Sequence, residues 1–286
     1  MSERTVATLG SALPAGTGVC VINLDARTDR REHFEHNLIP HLAPVPVHRI
    51  SAVAGKSLPG YGQPPCFRGG KRDATWAARG GCVLSHRAAL RHAVECGWSH
   101  VLILEDDITL AGPPDASLLS GLRSALAAMP YDICYLGHTD AVPPFRHLAD
   151  VGNNHSLHQV FGCNTAHAYL VSARAAKRLL QRLPHPDEIW KWLTRHRAVD
   201  RYYYRNLSPE MTVIALSPAL IHQEAGYSDI LGKAAPAYAE CHRTDVPARY
   251  PRAADYEAGI ARQAAAFRRA GYGDALRGWW KRRRGF

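Results

Sequence analysis

The chain has 286 residues, 46% of them hydrophobic, and a formal net charge of +10, so its length suits one large domain or two small ones. No apolar run approaches the roughly 20 residues of a membrane span, and the N-terminus lacks a basic segment followed by an apolar one, so we predict neither a transmembrane helix nor a signal peptide. Seven scattered cysteines without a C-x-x-C pair argue against a disulfide framework or a zinc knuckle and favour a reducing cytoplasm.

The N-terminal part of the chain predicts a leader followed by a strand and a helix. Residues 1–18 are rich in Ser, Ala and Gly, and we expect a flexible leader there. The apolar run VCVINL at residues 19–24 predicts a buried strand, and the polar turn DARTDRR at residues 25–31 enters a helix that continues to about residue 38. Arginine side chains beside the carboxyl end of a strand suit phosphate oxygens. A solvated helix start with Arg–Asp pairs is the alternative interpretation.

A Gly/Pro-rich stretch follows a second strand. Residues 45–50 predict an edge strand, since Pro46 has no N–H to donate. Residues 51–81 are long for a loop inside a compact domain, which favours either a mobile flap near the site or a plain surface loop. Gly80 and Gly81 are expected to open a helix that Gly97 ends, with Ser85 in its first turns, where free backbone N–H groups favour an anion.

The residues VLILEDD at 101–107 combine a buried strand with three carboxylates. Four large apolar residues in a row are typical of a strand buried on both faces of a parallel sheet. Ligands collect at the carboxyl ends of such strands, and a run of like charges there favours a cation with a preference for oxygen, Mn²⁺ or Mg²⁺. Alternation along an extended chain predicts that Glu105 and Asp107 point one way and Asp106 the other. Acidic residues that cap a helix or turn are the alternative.

The end of the chain is basic and aromatic. Residues 253–270 predict an amphipathic helix closed by Gly271. Residues 276–284, LRGWWKRRR, pair two tryptophans with a basic cluster, which suits an anionic membrane surface. A floppy basic tail is the alternative.

Three segments together resemble glycosyltransferase family 25, which includes lipooligosaccharide galactosyltransferases and collagen galactosyltransferases. They are VINLDARTDRR at residues 21–31, GCVLSH at 81–86 and LILEDD at 102–107, in matching order and spacing. Further resemblance extends the similarity to about residues 19–231, including Val199 and Asp200. The chain departs from the family at Arg79 and Gly80, where an acidic-apolar pair is common, and at Asn164 and Thr165.

This resemblance implies a GT-A-type, Rossmann-like α/β fold with a mostly parallel central sheet flanked by helices. It implies an inverting enzyme that uses Mn²⁺ or Mg²⁺ and a UDP-sugar, usually UDP-galactose, with a glycan or glycolipid such as lipooligosaccharide as acceptor. The catalytic domain would span residues 19–232, and residues 233–286 would form a helical, basic and aromatic tail. We expect a cytoplasmic enzyme that is peripheral at the inner face of the membrane.

The resemblance also assigns roles to individual residues. We assign the contacts with metal and ribose to Asp107 together with Glu105 or Asp106. His222 is the candidate for a third metal ligand, since imidazole can coordinate Mn²⁺. Uridine and phosphate contacts fall to the first strand's end and to the glycine-initiated helix: Asn23, Leu24, Arg27, Arg31 and Ser85.

Inversion requires a general base for the acceptor hydroxyl, and Asp200 is our first choice. Asp229 and Glu224 are reserves. The alternative, that Asp200 only caps a helix, has nearly equal weight. His86 is expected to be structural on residue type alone.

Two other functions compete with a glycosyltransferase. A nucleotidyltransferase would also use carboxylates and metal, but would release pyrophosphate. A nucleic-acid-binding protein, or an inactive relative, would explain the net charge. The positive charge lies largely at one terminus, however, and the central acidic cluster would repel phosphates, so we predict no nucleic-acid partner.

Overall fold

The computed structural model describes residues 8–70, 72–230, 232–247 and 253–286. Its strands are β1 (Thr17–Asn23), β2 (Val47–Ser51), β3 (His100–Glu105), β4 (Ile108–Leu110), β5 (Ile133–Gly152), β6 (His155–Ser172), β7 (Val213–Ser217), β8 (Ile221–Gln223), β9 (Gly226–Ser228) and β10 (Lys233–Ala235). Its helices are α1 (Leu9–Ala12), α2 (Thr28–Asn37), α3 (Ile39–Leu42), α4 (Asp73–Glu95), α5 (Ala116–Ala128), α6 (Ala173–Arg182), α7 (Ile189–His196), α8 (Val199–Asn206), α9 (Tyr238–Cys241) and α10 (Ala253–Arg284), with a 3₁₀ turn at Gly55–Ser57.

A six-stranded sheet in the order β2-β1-β3-β6-β5-β7 forms the centre of the molecule. Strands β2, β1 and β3 are mutually parallel, β6 is antiparallel to its neighbours, and β5 and β7 are parallel to each other. The α/β fold class with a mostly parallel central sheet is therefore confirmed. The edge position of β2 also agrees with the prediction for the segment that contains Pro46.

Strand β3 is buried on both faces, as its apolar run predicts. Val101 and Ile103 belong to the core on the side of α4, α6, α7 and α8, whereas Leu102 and Leu104 belong to the core on the side of α1, α3 and α5. Because side chains alternate along a strand, four consecutive apolar residues supply both cores at once. In register with β1, Glu105 lies beside Ile22, so the acidic residues emerge at the carboxyl ends of two parallel strands.

The predicted flexible leader differs from the structure over its described part. Leu9, Ala12 and Leu13 are buried, and α1 packs against α3 and α5. The reason is that three apolar side chains at helical spacing cover the edge of the core, although the surrounding Ser, Ala and Gly suggest a disordered segment. Residues 1–7 of the leader lie outside the described residues.

The two helices that we expected to be bounded by glycine are both longer. Helix α4 begins at Asp73, so Gly80 and Gly81 lie inside it. A Cβ at Gly81 would lie 2.1 Å from the Val53 carbonyl oxygen, which shows that this glycine allows a loop to approach the helix. Helix α10 continues through Gly271 to Arg284 and packs against α7, α8 and β5, so the tail is not floppy. Gly97, with φ +69°, ends α4 as predicted.

None of the helices within the described residues is both long enough and apolar enough to cross a membrane.

Candidate functional site

A cavity of about 630 Å³ opens at the carboxyl ends of β1 and β3. Its walls come from the end of β1, the carboxylates after β3, the loop at residues 52–56, α4, the start of α8 and the segment at residues 223–238. This is the position at which ligands bind in open α/β sheets, and the volume suits a small-molecule ligand.

Glu105 and Asp107 face the same partner inside this cavity. The side-chain amide of Gln223 donates to Oε2 of Glu105 at 3.1 Å and to Oδ1 of Asp107 at 3.3 Å. Their side chains therefore point to one side, as the alternation predicts. Gln223 was missed, because nothing in the sequence pairs β8 with β4, the short strand that follows the three carboxylates.

Asp106 points to other partners and is buried. The amide of Asn23 donates to its Oδ2 at 2.7 Å, and Nη1 of Arg30 lies 2.8 Å from its Oδ1. The same Arg30 atom lies 3.3 Å from Oδ2 of Asp107. Asp106 thus joins the end of β1 and the start of α2 to the end of β3.

The carboxylates are only partly compensated. Burial, together with the charges of Glu105 and Asp106, raises the pKa of Asp107 to about 7, against the attraction of Arg30. Burial also raises the pKa of Asp106. Burial acts in the same sense on Glu105, but its hydrogen bond with His86 and the nearby positive groups outweigh it, so the pKa of Glu105 is lowered. Burial of neighbouring carboxylates that also repel one another means that a cation would be attracted here.

Cys82, His86 and Glu105 bring one ligand atom each within 4.8 Å of one another. Nε2 of His86 lies 3.3 Å from Oε1 of Glu105, and its Nδ1 lies 2.9 Å from the hydroxyl of Tyr169. His86 is buried, so both ring nitrogens are engaged within the protein. Its main effect is to orient Glu105, which agrees with the structural role that we predicted for it.

Asp200 lines the same cavity from α8, on a different wall from the acidic strand end. It is the second residue of α8 rather than its cap, since the helix begins at Val199. Its Oδ1 accepts the backbone N–H of Arg201 at 2.6 Å. Burial raises the pKa of Asp200, against hydrogen bonds from the backbone of Arg201 and Thr165. A carboxylate with a raised pKa that faces a cavity suits proton transfer.

Ser85 and Asn23 do not present free groups to a ligand. The Ser85 hydroxyl donates to the Gly81 carbonyl at 2.8 Å and accepts the Val53 N–H at 2.8 Å. Because α4 begins 12 positions before Ser85, at Asp73, no free N–H groups surround it, and the predicted anion site at this serine is wrong. The Asn23 amide is used by Asp106 and by the Arg27 carbonyl, so Asn23 holds the site together rather than facing the cavity.

The predicted arginine contacts fall on the wrong side chains. Arg31 forms an exposed i,i+4 ion pair with Glu35, 2.8 Å apart. Arg27 pairs with Asp29 and with Asp229, which ties the turn after β1 to the segment beyond β9. Arg30 lines the cavity, and so does Leu24, whose predicted contact with the nucleotide stays a prediction. Helix α2 begins at Thr28, and successive side chains of a helix point about 100° apart. Arg30 and Arg31 therefore point in different directions, and it is Arg30 that lines the cavity.

His222 is not among the residues that line the cavity, so the structure lends no support to its predicted role as a third metal ligand, which stays a prediction. It pairs with Thr109 in the register of β4 and β8, and its Nε2 lies 3.1 Å from the Ala219 carbonyl oxygen. Gln223, the next residue of β8, points into the cavity instead. Successive side chains of a strand point to opposite faces, so a one-residue difference exchanges the two.

Residues 17–118 match the family model for glycosyltransferase family 25, which is described as an LPS biosynthesis protein. The match contains the ends of β1 and β3, and it confirms the resemblance drawn from the sequence over that region. It supports assignment of the chain as a glycosyltransferase. Asp200 and Gln223 lie beyond the matched residues.

No curated protein matches the chain significantly. Among solved structures, A197 from STIV is similar at 10% identity with a TM-score of 0.35, over 83% of this chain and 98% of that one. Mannose-1-phosphate geranyltransferase from Thermus thermophilus is similar at 11% identity with a TM-score of 0.30, over 70% of this chain and 73% of that one. Both scores are below 0.5, so neither similarity carries an argument about this chain.

Proposed function

We propose that this chain is an inverting, metal-dependent glycosyltransferase of GT-A type that transfers galactose from UDP-galactose to a glycan acceptor such as lipooligosaccharide. One observation carries the proposal: Glu105 and Asp107 enter a cavity from the end of β3, while Asp200 enters it from α8. In this arrangement, two neighbouring carboxylates can bind a metal ion, and a third on another element can act as the base in the same cavity.

The residues at the end of β3 fit a divalent cation. Glu105 and Asp107 share one amide partner, and the pKa of Asp107 is raised by burial and by its acidic neighbours. Carboxylate oxygens are the ligands that Mn²⁺ and Mg²⁺ prefer. Glu105 and Asp107 would hold the cation, and a bound cation neutralises the charge that develops on a departing nucleoside diphosphate. Asp106 would support them through its contacts with Asn23 and Arg30.

Asp200 is the proposed general base. It is proposed to take the proton of an acceptor hydroxyl, because it lines the cavity and burial raises its pKa. Leu24 and Arg30 line the cavity from the end of β1 and from α2, so the nucleotide of the donor is proposed to lie there. In this arrangement the donor meets the ends of β1 and β3, and the acceptor approaches from α8.

A peripheral membrane position is part of the proposal and rests on α10. Tyr272, Leu276, Trp279 and Trp280 are exposed at i, i+4, i+7 and i+8, which aligns them on one side of the helix. Arg283 lies over Trp279 and Arg284 over Trp280, with 4.2 and 4.6 Å between cation and ring centroid. Aromatic rings beside arginines suit the headgroup region of an anionic bilayer.

Calorimetric titration with a panel of nucleotide sugars, with Mn²⁺ and then with a chelator, tests the proposal. Metal-dependent binding of UDP-galactose is the expected result. Asp200→Asn should then lower the transfer rate about 10²–10⁴-fold, as expected for loss of a general base, and leave the dissociation constant of UDP-galactose nearly unchanged.

Two results would contradict this function. Binding of no nucleotide sugar, with or without metal, would remove the donor assignment. Release of pyrophosphate from a nucleoside triphosphate and a sugar phosphate would identify the chain as a nucleotidyltransferase instead.

A further inference from the structure

We propose that Arg79 and Lys56, supported by Lys281, form an anion-binding subsite that recognises a phosphate or carboxylate group on the acceptor glycan. This inference rests on the proposed function, because it takes Asp200 to mark the acceptor side of the cavity. It adds a substrate class: an acceptor that carries negative charge near the hydroxyl to be glycosylated.

Arg79 is a half-buried guanidinium that lines the cavity and forms no ion pair within the described residues. Other arginines near the site differ in this respect, because Arg30 pairs with Asp106 and Arg27 with Asp29 and Asp229. The Arg79 guanidinium lies over the face of Trp76, with 5.1 Å between its central carbon and the ring centroid. A cation withdrawn from water without a carboxylate is costly, and an anionic ligand would relieve that cost.

A second cation lies at the same aromatic ring. Nζ of Lys281 is 4.4 Å from the centroid of Trp76, and in the part of the chain that the structure describes Lys281 has no carboxylate at ion-pair distance. Burial lowers the pKa of Lys281 to about 8, with the charges of Arg197, Arg79, Arg201 and Arg277 acting in the same direction. The pKa of Arg79 is lowered by burial and by Arg197 in the same way. Positive groups from α4, α10 and the end of α7 therefore repel one another, and Arg79 is the one among them that lines the cavity.

Lys56 adds a cation on the loop that closes the same wall. It is exposed, lines the cavity and, within the described ranges, takes part in none of the ion pairs. Gly55 fixes its position, because a Cβ there would lie 1.7 Å from the Ala77 carbonyl oxygen of α4. Close packing thus holds the loop that carries Lys56 against α4, the helix that carries Arg79, and both side chains line the cavity.

The position of this subsite favours the acceptor over the donor. The acid whose charge acts most strongly on Arg79 is Asp200, and Arg79 in turn opposes the rise in the pKa of Asp200. Arg197 lies three residues before Asp200 and has φ +73°, a conformation that is strained for a residue other than glycine. Arg79 and Arg197 are therefore related to the proposed base, whereas Arg30 contacts the carboxylates of β3, where the donor is proposed to bind.

The test compares neutral and anionic sugars on the intact protein. Galactose, galactose 6-phosphate and galacturonate are titrated by ligand-observed NMR in the presence of saturating UDP and Mn²⁺, so that the donor side is filled. We expect the two anionic sugars to bind at least about tenfold more tightly than galactose, as a charge-assisted hydrogen bond would provide. Arg79→Gln should remove most of that preference.

Matched variants separate the subsite from general effects of charge. Arg91→Gln removes an exposed arginine from the same helix, where Arg91 lies 3.8 Å from Glu95, and should leave the preference intact. Lys56→Gln changes an exposed side chain, so it keeps the fold and should weaken binding of the anionic sugars even if Arg79→Gln is unstable.

Equal binding of galactose and galactose 6-phosphate, or an unchanged preference in Arg79→Gln, would overturn the subsite. If Arg79→Gln binds UDP more weakly but keeps the preference for anionic sugars, Arg79 would belong to the donor site, and the acceptor subsite would again be overturned. A wild-type protein that binds no UDP but shows a preference dependent on Arg79 would support the subsite and contradict the proposed function, so the two failures are distinguishable.

Discussion

Arg30 and Asp107 are joined by the same guanidinium nitrogen that binds Asp106: Nη1 of Arg30 lies 3.3 Å from Oδ2 of Asp107 and 2.8 Å from Oδ1 of Asp106. One cation thus spans two of three consecutive carboxylates. Glu105 is held by His86 and by Gln223, and Gln223 also donates to Asp107. Glu105 and Asp107 therefore share one partner in the cavity, whereas Asp106 is held by Asn23 and Arg30.

Asp107→Asn should weaken Mn²⁺ binding at least about tenfold, which corresponds to about 1.4 kcal/mol, because it removes a charged oxygen ligand and keeps the shape of the side chain. Isothermal titration with Mn²⁺ measures the change. Asp187→Asn, at an exposed position, is the matched control and should bind the ion as the wild type does. Equal affinity in both variants would remove Asp107 from the metal site.

The stability of the metal-free protein should fall as the pH rises through the range in which Asp107 titrates. The pKa of this carboxyl is raised from 3.8 to about 7 in the folded protein, so between these values the folded chain holds a proton that the unfolded chain has lost. The free energy of unfolding, taken as the wild-type value minus that of Asp107→Asn, should decrease by on the order of 1 kcal/mol per pH unit up to about pH 7 and then level off.

Urea unfolding at a series of pH values provides these free energies. Because a bound cation compensates the carboxylate, added Mn²⁺ should stabilise the wild type more at pH 8 than at pH 5.5. A difference between the two proteins that stays constant with pH would contradict the raised pKa.

Arg30→Gln should destabilise the fold by about 3 kcal/mol, as expected when one partner of a largely buried ion pair is removed. The neighbouring change Arg31→Gln removes an exposed i,i+4 pair and should cost no more than about 0.5 kcal/mol. Denaturant midpoints of the two variants give the comparison directly. Similar losses in both would mean that Arg30 is not the arginine that holds the carboxylates.

Gly81→Ala should lower stability by about 1–3 kcal/mol, because its methyl group would meet the Val53 carbonyl oxygen and push the loop off α4. Gly271→Ala, also inside a helix but with nothing within 4 Å of the added carbon, should be neutral or stabilising by up to about 1 kcal/mol. Thermal melting of both variants tests this contrast. A stable Gly81→Ala protein would argue against the close approach of this loop to α4.

The double change Trp279→Ala and Trp280→Ala should reduce partition into anionic vesicles by at least about tenfold. Both rings are exposed in the protein, and burying each of them in the bilayer contributes about 1.5 kcal/mol or more to the free energy of binding. Co-sedimentation with vesicles that contain phosphatidylglycerol measures it, and vesicles of neutral lipid serve as the control. Unchanged sedimentation of the variant would contradict a membrane role for α10.

The sequence by itself determined the features that depend on local pattern. The run at residues 101–104 predicts a strand buried on both faces, and the structure divides those four residues between two cores. The order of strands and helices, the acidic strand end and the family resemblance follow from short segments that retain their meaning without tertiary contacts. The same holds for the end of α4 at Gly97.

Only the tertiary structure decided which side chains face the cavity. Arg30 rather than Arg31 lines the cavity, because the next residue of a helix points about 100° away. Likewise Gln223 rather than His222 lines it, because the next residue of a strand points to the opposite face. The contact of Lys281 with Trp76 joins α10 to α4 across about 200 residues of sequence, which no local pattern encodes. Local sequence therefore determined the chemistry available at the site, and packing set the direction in which each group points.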